Sequence, residues 1–131
     1  MGKSIVHTRE APSAKGPYSQ GVVMDGWVWT SGQVALDPET GNMVGADAAA
    51  QADQALANIK AILHAAGTGL ESVVRATVYL TDMDDFSAVN AVYARYFPVD
   101  YPARACVQVS RLPLGALVEI DAVARIGPER R

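Results

Sequence analysis

Cysteine, histidine and clustered basic residues are nearly missing from this chain of 131 residues, and each shortage removes a class of function. A single cysteine, Cys106, cannot close an internal disulfide. With only His7 and His64 beside it, no Cys/His set stands at metal-ligand spacing, so a reduced protein without a metal is expected. The 11 Lys and Arg residues are scattered and outnumbered by 14 Asp and Glu, for a net charge of -3. Nothing there tracks a phosphate backbone, and nucleic acid is not expected as a partner. No apolar run reaches membrane-spanning length, since even SVVRATVYL is interrupted by Arg75. The opening MGKSIVHTRE holds no apolar leader, and Val6 stands where a myristoylation motif needs Ser or Thr; the expectation is a cytoplasmic protein that makes no membrane contact.

What is present is ordinary globular composition, 50% hydrophobic and 19% charged, in a length that suits one domain over residues 1–131. GVVMDGWVWTSGQV sets two β-branched and aromatic runs around Asp25-Gly26, a strong hairpin signal. LDPETGNMVG then reads as a turn-rich loop. From about Asp47, Ala52, Ala55, Leu56, Ile59, Leu63 and Ala66 recur at steps of three and four, and Gly67 offers a stop; the spacing predicts an amphipathic helix. SVVRATVYL reads as a strand. TDMDDFSAVNAVYARYF reads as a second helix, capped by Asp84 or Asp85, buried along Phe86, Val89, Tyr93 and Phe97, and ended by Pro98. YPARACVQVSRLPLGALVEID supplies two last strands around a turn, and GPERR is expected to fray. The order predicts an α+β fold with two helices packed on one face of a mostly antiparallel sheet.

Period-two alternation assigns the faces. Ala76, Val78 and Leu80, Ala105, Val107 and Val109, and Val118, Ile120, Ala122 and Ala124 form an apolar set expected under the helices. The opposite set carries Thr77, Tyr79, Arg104, Cys106, Leu117, Glu119 and Val123, with Trp27 and Trp29 nearby. That surface is too apolar to be left in water, so a second copy of the chain is expected to cover it.

On a covered face, Arg104 and Glu119 need explaining. They can form a weak cross-strand ion pair at the surface. Under cover, a charge must be paired or met by a ligand, and Arg104 can grip a carboxylate with two parallel hydrogen bonds. A partly desolvated Glu119 can hold a proton at neutral pH and exchange it with water or a substrate nitrogen. Cys106 has no histidine in its segment to activate it, so its backbone is its expected contribution. AKGPYSQG is a rigid turn that presents Tyr18 either to a ligand or to the hairpin edge. Asn90, a poor helix former inside the second helix, implies a specific hydrogen bond. Gly32, after Ser31, permits a close approach by another group.

GPYSQG, SGQVALDPETG, NIKAILHAAG, VYLTDMDDFSAVNAVYARYF and PARACVQVSRLPLGALVEIDAVA, in order from about residue 10 to 125, together resemble the RidA (YjgF) family of reactive intermediate deaminases. The resemblance implies a chorismate-mutase-like fold, a homotrimer with ligand sites between subunits, and no cofactor. It implies hydrolysis of enamines and imines such as 2-aminoacrylate and 2-iminopropionate, small imino acids, to 2-keto acids and ammonia. By position, Arg104 corresponds to the substrate-carboxylate arginine and Glu119 to the acid that handles protons. The backbone at Cys106 corresponds to a group that places water or the imine nitrogen; Tyr18, Ser31, Gly32 and Asn90 match further pocket positions. Lys15 and the short PVDY link at residues 98–101 depart from the family pattern and bear on the pocket rim. The competing reading is a carboxylate-binding or protein-interaction module, chaperone-like or regulatory, that uses the same cleft without turnover.

Overall fold

The computed structural model describes residues 2–127; the rest of the GPERR tail lies outside the described residues. Strand β1 is Ser4–Val6, β2 Gly21–Met24 and β3 Trp27–Thr30; helix α1 is Ala48–Ala65; β4 is Val73–Leu80; helix α2 is Phe86–Tyr96; β5 is Ala103–Gln108 and β6 Val118–Arg125. The strands form one six-stranded sheet in the order β1-β2-β3-β6-β4-β5, antiparallel except for the β4–β5 pair. This is the expected α+β architecture, with β1 as an addition that three residues were too short to announce.

Local chemistry explains most boundaries. Asp25 and Gly26 both take positive φ, +52° and +81°, as a two-residue hairpin turn between right-twisted strands requires. Asp47 caps α1, its carboxylate accepting from the Ala50 N–H at 2.8 Å. Ahead of α2 the capping expectation needs correction. Asp82 accepts from the Asp84 N–H at 2.9 Å in a short 3-10 turn, while Asp85 stands at the N-cap without a side-chain bond.

The core lies between the sheet and α1, whose Ala52, Ala55, Leu56, Ile59, Ile62 and Leu63 are wholly buried. Each large side chain removed from water there contributes about 2 kcal/mol. Three buried amides tie loops to this core. Asn58 donates to the carbonyls of Val34 and Leu36, and Gln51 accepts from the Leu117 N–H and donates to the Gly45 carbonyl. Gln20 donates to the Ala11 and Pro12 carbonyls. Tyr96 latches α2 to α1, its hydroxyl donating to Asp53 at 2.7 Å.

Two expectations about the last strands fail. β5 and β6 are not neighbours, because β4 lies between them and pairs with both. The phase of β5 is also reversed. Its register sets Arg104 beside Ala76 and Cys106 beside Val78, so Arg104, Cys106 and Gln108 share the helix face, while Ala105 and Val107 point to the open face with Tyr79 and Glu119. The physical reason is that β5 is an edge strand, only partly covered by α2. Its inner positions need not be apolar: Arg104 reaches Asn90, and Gln108 accepts from the Met83 N–H at 2.7 Å.

Candidate active site

The sequence-predicted residues fall into two groups. The first is built on the β5 edge. The guanidinium of Arg104 lies 4.7 Å from the ring centre of Tyr93 and 5.5 Å from that of Phe86, and its Nη1 donates to Asn90 Oδ1 at 2.7 Å. Asn90 thus makes the specific bond that its place in a helix implied. Phe86, Asn90 and Tyr93 stand at i, i+4 and i+7, which turns all three toward β5. Among the described residues no carboxylate lies within ion-pair distance of Arg104; the one salt bridge is Arg95 with Asp53, at 3.6 Å. The positive charge is held entirely by neutral groups.

Cys106 sits one step along the same edge, its side chain packed against the core and its thiol pushed up by burial, with Arg104 opposing the shift. It is poorly disposed to be a nucleophile. Its backbone is better placed. The Val109 N–H donates to the Leu80 carbonyl, which fixes the odd-numbered residues as those bonded to β4. The N–H and C=O groups of Arg104, Cys106 and Gln108 therefore point outward from the free edge. A cavity of about 470 Å³ opens here between Asn90, Tyr93, Tyr101 and Arg104.

The second group lies on the open face. Glu119 of β6 lies directly against the Cα of Gly32, where any Cβ would collide with its carboxylate. That is the close approach the glycine permits, and Glu119 is the group that makes it. The adjoining Ser31 is fixed from both ends, its N–H donating to the Gln20 carbonyl at 2.9 Å and its hydroxyl to the Ser19 carbonyl at 2.5 Å. These bonds hold the Tyr18 turn beside the segment that leaves β3 through Gly32, with Tyr18 exposed. Burial raises the Glu119 carboxyl above the usual carboxylate range, and the nearby Asp121 charge adds to the shift. Asp121 is raised by burial too, partly offset by its bond from the Tyr79 hydroxyl at 3.3 Å.

The two groups do not meet within one chain. Two strand spacings and three residues along the sheet separate the Cα atoms of Arg104 and Glu119 by about 14 Å, on opposite faces. The expectation that both share one face is therefore corrected. Sequence reasoning also missed Phe86 and Tyr93 as partners of Arg104 and Asp121 as a neighbour of Glu119. The signals were present in the helical spacing of the two rings around Asn90 and in the alternation of Glu119 with Asp121.

Among the described residues no helix is long and apolar enough to cross a membrane. The family model described as Endoribonuclease L-PSP matches residues 8–126. A bovine protein named 2-iminobutanoate/2-iminopropanoate deaminase is 50% identical over 126 residues, 96% of this chain and 92% of its own. A RutC family protein of Synechocystis is 49% identical over 126 residues, covering 95% and 97%. The crystal structure of E. coli TdcF with bound serine superposes with a TM-score of 0.90 at 43% identity, covering 95% of this chain and 99% of that one. The relatives' names differ in the activity they state, while identity over nearly the whole of both chains establishes the kinship. The chain belongs to the RidA (YjgF) family.

Proposed function

We propose that this protein hydrolyses small 2-imino acids and their enamine tautomers to 2-keto acids and ammonia, in clefts that neighbouring subunits of a cytoplasmic homotrimer build together, without a cofactor of its own. The observation that carries the reading is the separation of a free guanidinium and a raised carboxyl onto opposite faces of one sheet. A substrate of three or four carbons cannot span that separation, so the Arg104 edge of one copy must meet the Gly32–Glu119 face of another. The open face supplies a reason for copies to associate, since Ile5, Trp29 and Val107 are exposed there at 57%, 46% and 41%. The named activity of the bovine relative supports the reaction, and the serine bound to TdcF is a ligand with the carboxylate and nitrogen such a cleft would take.

In this cleft Arg104 grips the substrate carboxylate with the donors that Asn90 leaves free. The outward backbone groups of Cys106 align the imine nitrogen or the water, and Tyr18 and Ser31 line the opposing wall. Water oxygen adds to the iminium carbon as Glu119 takes the water proton. Glu119 returns that proton to nitrogen and then takes the proton of the new hydroxyl as the C–N bond breaks, so that ammonia leaves a 2-keto acid and Glu119 ends in its acid form. With an enamine, the acid form of Glu119 first protonates the terminal carbon. Its raised carboxyl suits both directions of transfer, and holding the partners in place supplies much of the remaining rate.

The competing reading, a carboxylate-binding module without turnover, predicts the same Arg104 geometry and assigns Glu119 no chemical work. An experiment separates them. A dehydratase acting on serine or threonine generates the enamine in situ, and keto-acid release is followed with and without this protein. We expect acceleration by the parent and a loss of about 100-fold in Glu119→Gln, the lower range for a general acid–base group, with 2-ketobutyrate binding retained. No acceleration by the parent, or equal turnover by the variant, refutes the assignment.

A further inference from the structure

We infer that Tyr93, with Phe86 across from it, is a positioning residue that keeps the Arg104 guanidinium aimed from the β5 edge while leaving its charge uncompensated. The inference rests on the carboxylate-anchor reading of Arg104 given above. Periodicity alone makes both rings core fillers of α2. Their geometry gives them a second task, because the guanidinium sits 4.7 Å from one ring centre and 5.5 Å from the other, with Asn90 Oδ1 fixing Nη1 at 2.7 Å. An exposed arginine on an edge strand otherwise samples many rotamers, and a ligand must then freeze it. An acidic partner would fix it only by neutralising it. Ring faces and an amide oxygen hold it through weak attraction and leave the net charge for an incoming anion.

Tyr93 is the better placed of the two rings. It is 94% buried, and Phe97 backs it at 4.6 Å between ring centres. It cannot swing away when the arginine moves. Its hydroxyl is buried with no hydrogen-bond partner among the described residues, so the ring, and not the oxygen, is what the arginine uses.

The test reads binding and turnover separately. Calorimetric titration with 2-ketobutyrate gives Kd, and the imine assay gives KM and kcat. Tyr93→Phe is expected to stay within twofold of the parent in all three. Tyr93→Leu is expected to raise Kd and KM about tenfold, between the ranges of an exposed and a desolvated cation–π contact, with kcat changed less than twofold. In an Arg104→Ala background Tyr93→Leu should have no further effect on Kd, which a merely structural role would not predict. Phe86→Leu, at a half-buried site, should raise Kd in the same direction and serves if Tyr93→Leu does not fold. Unchanged Kd in a folded leucine variant, or an effect that persists without Arg104, overturns the inference. A parent that binds 2-ketobutyrate but hydrolyses no imine sinks the deaminase reading alone, and Kd then decides the role of Tyr93. A parent that binds no keto acid overturns both.

Discussion

Gly32 and Glu119 are coupled by space. The carboxylate occupies the volume a Cβ at residue 32 would fill, so Gly32→Ala must push Glu119 out of its seat. Because Glu119 is a flexible, half-buried side chain, the displacement should cost stability less than about 1 kcal/mol, as substitutions away from the core do. Its effect on chemistry should be far larger. We expect Gly32→Ala to lose turnover to nearly the level of Glu119→Gln while its urea midpoint stays close to the parent's. Adding Gly32→Ala to Glu119→Gln should remove little more activity. Two losses that multiply would mean that the glycine acts independently of the acid. At this scale the sequence was informative about residue identity and silent about mates. Arg104, Glu119, Gly32 and Asn90 stand out because each breaks a local pattern, whereas Tyr93 conforms to a helical core stripe and so conceals its contact with Arg104.

Among the elements, the segments with one strong local signal were legible. Asp25-Gly26 marks its hairpin, Asp47 starts α1, and the three-and-four spacing of Ala52, Leu56, Ile59 and Leu63 assigns its buried face. β5 was not legible in phase, because ARACVQ alternates in a way that suits an interior strand read one way and an edge strand read the other. Its register is set by the β4–α2–β5 connection, a non-local constraint. The buried amides of α1, Gln51 and Asn58, were equally hidden, since a polar residue inside an amphipathic helix is ordinarily assigned to its wet side. Asn58 shows what that assignment overlooks. It is 1% exposed and donates to the carbonyls of two half-buried loop residues. Asn58→Leu should keep the volume, strand the Val34 and Leu36 carbonyls, and destabilise the fold by about 2 kcal/mol, the usual penalty for orphaned buried acceptors. Urea unfolding at fixed protein concentration measures it, and a variant as stable as the parent would show that those carbonyls find other partners.

At the scale of the molecule, strand alternation predicts a face that invites cover, while the separation of Arg104 from Glu119 became visible only with the sheet order. That separation makes the proposed shared cleft testable without a structure of the assembly. Suppose Arg104→Ala and Glu119→Gln chains, each nearly inactive alone, are unfolded together in equal amounts and refolded. In a cyclic trimer each cleft takes its arginine from one chain and its acid from the next. A cleft is intact when a Glu119→Gln chain supplies the arginine and an Arg104→Ala chain supplies the acid, so random assembly should restore about one quarter of the parental activity. Mixing the two folded proteins without exchange should restore none, which removes contamination as an explanation. If both residues served one active site from the same chain, every cleft in every mixture would lack one of them, and refolding together would recover nothing. Recovery to about one quarter therefore requires the arginine edge of one copy to meet the Gly32–Glu119 face of its neighbour, and its absence from a well-assembled mixture would eliminate that arrangement.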